Sequence, residues 1–283
     1  MERKATVKYL IALSLYGTIG LFLHYITFSS EFVVLCRGLF GSLFIALVLY
    51  FRQRKPDLEA IRKNLKLLLI SGAALGFNWV CLFAGYRHGV AVTSLCNYTA
   101  PIIVVIISAL IYQEKISRIQ IFCIILAFVG ILLLLGIFSD TGSNDPACAI
   151  YGLLAAAGFV IMVLCNGKLQ DIEQLEKTLI QLLASAAVVF PYVLLNKGFP
   201  QVFDLRSVIL TLILGFVHTG VAYIFYFAAI YELNPQTLAI LGYLEPVMNL
   251  LCGVLFFHES IGLSGIIGAI MIIAASLGNE LSS

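Results

Sequence analysis

Charge is scarce in this chain. Asp, Glu, Lys and Arg supply 11% of its 283 residues, against 61% hydrophobic residues. A soluble domain carries roughly a quarter charged residues, so a water-facing shell of ordinary composition is excluded. Short segments of alternating polar and apolar residues are missing too, which excludes a membrane β-barrel. No G-x-x-x-x-G-K-[ST] stretch is present, so no phosphate loop couples this chain to ATP. No H-E-x-x-H or Cys/His metal spacing occurs, and no aspartate pair lies inside an apolar run as an intramembrane protease would need. Neither a cofactor nor a metal is expected. The seven cysteines, Cys36, Cys81, Cys96, Cys123, Cys148, Cys165 and Cys252, make no C-x-x-C pair and read as buried thiols. A net charge of +2 without a basic arm offers nucleic acid no surface.

What the chain has instead is apolar length. Its mean hydropathy is +1.03, and ten continuous stretches approach the roughly 20 residues that a helix needs to cross hydrocarbon. They lie near 7–27, 32–51, 66–87, 91–112, 117–137, 147–167, 174–196, 207–231, 235–257 and 260–279. In lipid every backbone group must be satisfied internally, so continuous spans are helices. The expected fold class is an all-α membrane protein with ten transmembrane helices. The first stretch is too long for a signal h-region and lacks a small-residue cleavage site, so it stays as the first span. Connections are short apart from the loop Arg52–Lys66, and none holds a soluble domain. Of the 17 basic residues, 13 fall on one side of this topology and 3 on the other, with Arg37 inside a span. The positive-inside bias places both termini in the cytoplasm of a cell (plasma) membrane protein.

The second half echoes the first at an offset of 145 residues. Ala84-Gly-Tyr86 pairs with Ala229-Ile-Tyr231, Tyr98-Thr-Ala-Pro101 with Tyr243-Leu-Glu-Pro246, and Glu114-Lys-Ile116 with Glu259-Ser-Ile261. Two five-span units, residues 1–140 and 146–283, therefore enter the membrane from opposite sides. This is the inverted-repeat architecture typical of alternating-access carriers.

Tyr243-Leu-Glu-Pro246, followed 13 residues later by Glu259 and a new apolar span, resembles the EamA module of the drug/metabolite transporter superfamily. The first half carries a partial copy ending at Glu114. The resemblance covers essentially the whole chain and implies a ten-helix fold with a central cavity lined by the third, fourth, eighth and ninth helices. It also implies carriage of small solutes such as amino acids, nucleosides, drugs or other metabolites. Ala100 stands where the second copy has Glu245, so the repeats are not chemically equivalent.

All five aspartates fall in loops, and Glu245 is the one acid well inside a span. A carboxylate at that depth costs at least a few kcal/mol unless it faces a cavity or a partner. It serves either as a proton carrier or as a fixture of the break before Pro246. His218, mid-way along the eighth span, is the second candidate for proton coupling, or a neutral imidazole bonded to a carbonyl. Asn78 and Trp79 stand at the midplane of the third span, and Tyr223 matches Asn78 at the repeat offset. Tyr98 matches Tyr243, and Asn249 lies one turn beyond Glu245. Asn78, Trp79, Tyr98, His218, Tyr223, Tyr243, Glu245 and Asn249 form the candidate substrate site. Pro101 and Pro246, inside their spans, are expected to kink the helices and act as hinges. Arg37 reads as snorkelling to the interface, with a substrate carboxylate or Glu245 as its alternative partner.

The expected function is a secondary transporter for a small amphipathic metabolite, an amino acid or relative, working by alternating access, in the direction of export, with coupling to protons. A uniporter or multidrug efflux carrier is the alternative, ahead of a channel or a membrane-embedded enzyme. Partners are a small-molecule substrate and the bilayer. Runs of small residues such as Gly72-Ala-Ala-Leu-Gly76 and Ala155-Ala-Ala-Gly158 serve internal packing or a dimer face, leaving monomer and homodimer open.

Overall fold

The computed structural model describes residues 2–53, 56–112, 117–134, 145–196, 198–230, 232–233, 235–242, 244–258 and 262–282, and every regular element among them is helical. The first half holds α1 (Glu2–Gly17), α2 (Ile19–His24), α3 (Ser30–Phe51), α4 (Leu58–Tyr86), α5 (Val90–Asn97), α6 (Ala100–Tyr112) and α7 (Arg118–Leu134). The second holds α8 (Pro146–Asn166), α9 (Gln174–Leu195), α10 (Leu205–Gly215), a π-helical turn (Phe216–Val221), α11 (Ala222–Ile230), α12 (Pro235–Gly242), α13 (Leu244–Phe257) and α14 (Leu263–Ser282). Seven stretches are long and apolar enough to cross a membrane: 3–24, 30–51, 58–86, 90–107, 146–166, 174–195 and 205–230. Three shorter apolar helices, 118–133, 244–257 and 263–278, occupy the remaining predicted spans.

Loop polar residues start these helices. Side chains of Ser29, Asp57, Asp145, Glu173 and Asp204 accept from the first free N–H groups of α3, α4, α8, α9 and α10. Those donors have no partner within the helix, so a cap there is worth about 1 kcal/mol. The cap of Asp57 corrects the expectation of a loop at Arg52–Lys66, because the Asp57 carboxylate takes the Ala60 N–H at 3.0 Å and α4 begins at Leu58. Charge in this first turn does not break a helix that protrudes beyond the apolar layer. Capping also sets charge states. The Ala147 N–H, and then His88, hold the Asp145 carboxyl below its usual range. The Ser207 N–H, and then the Thr27 hydroxyl, do the same for Asp204.

At Pro101, where the sequence predicts a kink, the structure has an interruption. α5 ends at Asn97 and α6 begins at Ala100, with Pro101 in the first turn of α6. At the matching place of the second half Tyr243, between α12 and α13, lies outside the described residues, and Pro246 is buried within α13. Proline is tolerated at Pro101 because the first-turn N–H groups have no helical acceptor. The carbonyl of Tyr98, at the interruption, accepts from Ser276 Oγ of α14 at 2.9 Å.

The halves interlock. α1 packs on α11 and α13, and α8 packs on α4, α5 and α6, so the first helix of each half lies against the other half. α3 packs on α9, and α7 on α14, across the same divide. Arg37, Asn78, His218 and Asn249 are buried, whereas Phe122 and Phe128 of α7 and Ile266 and Ile270 of α14 are exposed. The seven cysteines are free, and five of them are buried.

Candidate substrate-binding site

Arg37 is the centre of the buried polar region. It is only 3% exposed, which overturns the snorkelling expectation. Snorkelling needs an unobstructed path to the interface, and α4 and the π-helical turn cover this side chain instead. Its guanidinium carbon lies 4.2 Å from the centroid of the Trp79 ring and 5.4 Å from that of Phe83. A cation over an indole face is favourable, by about 2 kcal/mol when desolvated. Its Nε donates to Thr219 Oγ1 at 2.6 Å. Thr219 in turn donates to the carbonyl of Leu214, five residues back, at 2.9 Å. That spacing belongs to the widened turn at 216–221, a form of backbone frequent at functional sites.

Close approach makes this contact possible. A Cβ on Gly41 would stand 2.7 Å from Thr219 Cγ2, so only glycine lets α3 meet the π-helical turn there. Gly17 does the same for α13, since a Cβ on it would overlap Met248 and lie 3.0 Å from the Glu245 carbonyl oxygen. Glu245 is thereby seated against α1. Its carboxyl shares a hydrogen bond with the Tyr98 hydroxyl and lies within electrostatic reach of Arg37. Tyr16, Tyr86 and Tyr223 ring the same charge. Tyr223 stacks on Phe227, with centroids 5.5 Å apart, and meets Tyr16 edge-on at 6.0 Å. Two members carry unused hydrogen-bonding capacity. The Tyr16 hydroxyl and both amide atoms of the fully buried Asn249 have no partner among the described residues.

His218 sits beside Thr219 and is 2% exposed. Its Nε2 is 3.3 Å from Thr18 Oγ1, and its ring meets Phe22 edge-on at 4.5 Å. Thr18 already donates to the carbonyls of Ser14 and Leu15, so by hydrogen-bond geometry it accepts from Nε2–H. Nδ1 faces the Ile213 carbonyl at 3.5 Å, an acceptor that only a protonated nitrogen can use. His218 and Glu245 thus have separate partners, and no hydrogen bond joins them among the described residues.

The structure gathers Trp79, Tyr223 and Glu245 of the predicted set around Arg37, with Tyr98 joined to Glu245 and Asn249 one turn along α13. Asn78 is placed differently. Its Nδ2 donates to the Ala155 carbonyl at 2.7 Å and to Asn97 Oδ1 at 3.2 Å, which fixes α4 to α8. Tyr243 lies outside the described residues, as do Glu114 and Glu259. Sequence reasoning missed Tyr16, Tyr86 and Thr219. Thr219 is signalled only by its adjacency to His218.

Similar proteins bear on this arrangement. The EamA-like transporter family matches residues 4–136 and again residues 146–279. The uncharacterized transporter YxxF of Bacillus subtilis is 24% identical over 95% of this chain and 87% of its own length. Protein PecM of Dickeya dadantii is 25% identical over 74% of this chain and 71% of its own. The pseudopaline exporter CntI of Pseudomonas aeruginosa is 25% identical over 87% of this chain and 84% of its own. A protein of known crystal structure matches with a TM-score of 0.64 at 16% identity, over 100% of this chain and 99% of that one, which bears on fold alone. The chain belongs to the EamA-like transporter family, and is an integral membrane transporter rather than an enzyme.

Proposed function

We propose that this protein is a secondary transporter that exports a small amphipathic metabolite across the plasma membrane by alternating access, with proton coupling. In this reading its helices make ten spans in two inverted five-span repeats, with both termini cytoplasmic. The observation that carries it is the interlocking of the halves: each lends its first helix to the other, α1 to α11 and α13, α8 to α4, α5 and α6. A buried polar cluster lies at that junction, and the span made of α5 and α6 is interrupted beside it at Tyr98 and Thr99. Interrupted helices around a midplane site are the recurring build of carriers with inverted repeats. Trp79, Tyr98, Tyr223, Glu245 and Asn249 contact the solute, joined by Tyr243 as the repeat partner of Tyr98. Asn78 ties α4 to α8 and stands apart from these contacts. The EamA-like relative CntI is described as an exporter, which favours the outward direction.

Glu245 and His218 carry the proton. Glu245 has one hydroxyl partner and a nearby cation, and Nδ1 of His218 has a carbonyl waiting for a proton. The test is reconstitution into liposomes with an entrapped pH dye, presented with amino acids, nucleosides and drug-like amines. At least one solute drives proton movement in the wild type, and Glu245→Gln abolishes it without loss of folded protein. Solute flux in Glu245→Gln that still follows the pH gradient removes Glu245 from coupling. A steady ion conductance in place of saturable flux overturns the carrier.

A further inference from the structure

Arg37 is a buried cation with most of its donors unused. Among the described residues Nε is its one donor with a hydrogen-bond partner, and no carboxylate lies within ion-pair distance of it. Arg87 shows what a structural arginine does in the same fold. It closes the α2–α3 connection, donating from Nε to Ser30 Oγ at 3.0 Å and from Nη2 to the Phe28 carbonyl. Arg37 has no such carbonyl under its fork. Trp79 covers one face of the guanidinium and Thr219 holds one edge, which fixes its plane and leaves the terminal amino groups uncommitted. Glu245, an acid within electrostatic reach, shares its hydrogen bond with Tyr98. An unneutralised guanidinium at this depth is costly, and a planar fork matches a planar oxyanion in two parallel hydrogen bonds. The unpartnered Tyr16 hydroxyl, within reach of the same charge, is a further donor for that anion.

We infer that Arg37 is the anion receptor of this transporter, so that the solute carries a carboxylate or a similar planar oxyanion. The inference rests on the site proposed above and names its specificity-determining residue. Thr219 and Trp79 are positioning residues: they hold the guanidinium in the plane in which it meets the anion. Lysine in its place supplies a point charge without the fork or the stacking face.

The molecule contains its own probe. Trp79 is the single tryptophan of the chain, and it touches Arg37, so its emission reports on an anion bound there. The purified full-length protein is titrated with phenylacetate, 4-methylpentanoate and N-acetyl-leucine, each beside its carboxamide, while Trp79 fluorescence is followed. The acids change the emission saturably, and each amide binds about tenfold or more weakly, the ratio expected for losing one charge-assisted hydrogen bond. Arg37→Gln brings the acid-to-amide ratio to about one, and Arg37→Lys leaves an intermediate ratio. Amides that bind as well as acids, acids that leave Trp79 unperturbed, or an acid preference that survives Arg37→Gln overturn the assignment. The comparison of acid with amide needs only the wild type, so a variant that fails to fold does not shelter the claim. A neutral solute carried equally by wild type and Arg37→Gln ends the anion receptor and leaves the transporter standing. Acid binding with no flux of any solute does the reverse.

Discussion

At the residue scale, a few small side chains decide where the charged ones sit. Gly41 admits Thr219, and Thr219 fixes Arg37. Gly41→Ala therefore pushes a methyl group into the π-helical turn, and overpacking of this kind costs about 1–3 kcal/mol. The expected outcome is a lower melting temperature of the purified protein and a weaker acid preference in the Trp79 titration. An unaltered melting curve contradicts the close contact. Asn78 gives the opposite signature. Asn78→Ala removes its bond to the Ala155 carbonyl, worth about 0.6 kcal/mol on average within membranes. Stability falls slightly while solute affinity holds, as competition binding reads out. Glu245 is legible in the sequence because a lone carboxylate inside an apolar run has few innocent explanations. Arg37 is only half legible. Its depth can be counted along the chain, but whether a long side chain turns to the interface or inward depends on which helices cover it. Tyr16 is not legible at all, and Thr219 only through its neighbour His218, since a hydroxyl in an apolar helix fits lipid-facing, core and site positions alike.

At the element scale, helix starts and interruptions do the work. The Asp204 carboxyl is held below its usual range by the Ser207 N–H and the Thr27 hydroxyl, so its bonds favour the folded state when it is ionised. That stability is complete above the unfolded value near 4 and is lost as pH falls through the lower folded value. Between about pH 5 and pH 3 the wild type therefore loses more melting temperature than Asp204→Asn, which has no charge there to lose; equal losses contradict the cap. Pro101 occupies a first-turn position, where proline costs a helix little. Pro101→Ala is accordingly expected to leave the melting temperature nearly unchanged. As a hinge residue it slows solute flux at unchanged affinity, whereas a purely structural proline leaves flux alone. The proline pair and its offset are plain in the sequence. That Pro101 marks an interruption rather than a kink is not, because Tyr98 and Thr99 close the end of α5 through bonds that any short turn can make. The π-helical turn is likewise hidden: one extra residue per turn leaves no trace in an apolar pattern.

At the scale of the whole molecule, two copies of one pattern become two halves that exchange their first helices. The offset of 145 residues reveals the repeat, and the family match at 4–136 and 146–279 follows the same division. The exchange itself has no sequence signal, because the apolar residues of α1 are spread around its axis and form no stripe that names a partner. Its consequence is that neither half can enclose the Arg37 cluster alone. The account's central claim is that this cluster is a wet chamber reached from each side of the membrane in turn. The most direct measurement places a single cysteine at Asn249, in a background from which the seven natural cysteines have been removed, and labels it with an impermeant thiol reagent in right-side-out and inside-out vesicles. Labelling from both faces, each blocked by saturating solute, is the predicted result. A cysteine labelled from neither face, or from one face under every condition, contradicts the chamber and with it the carrier.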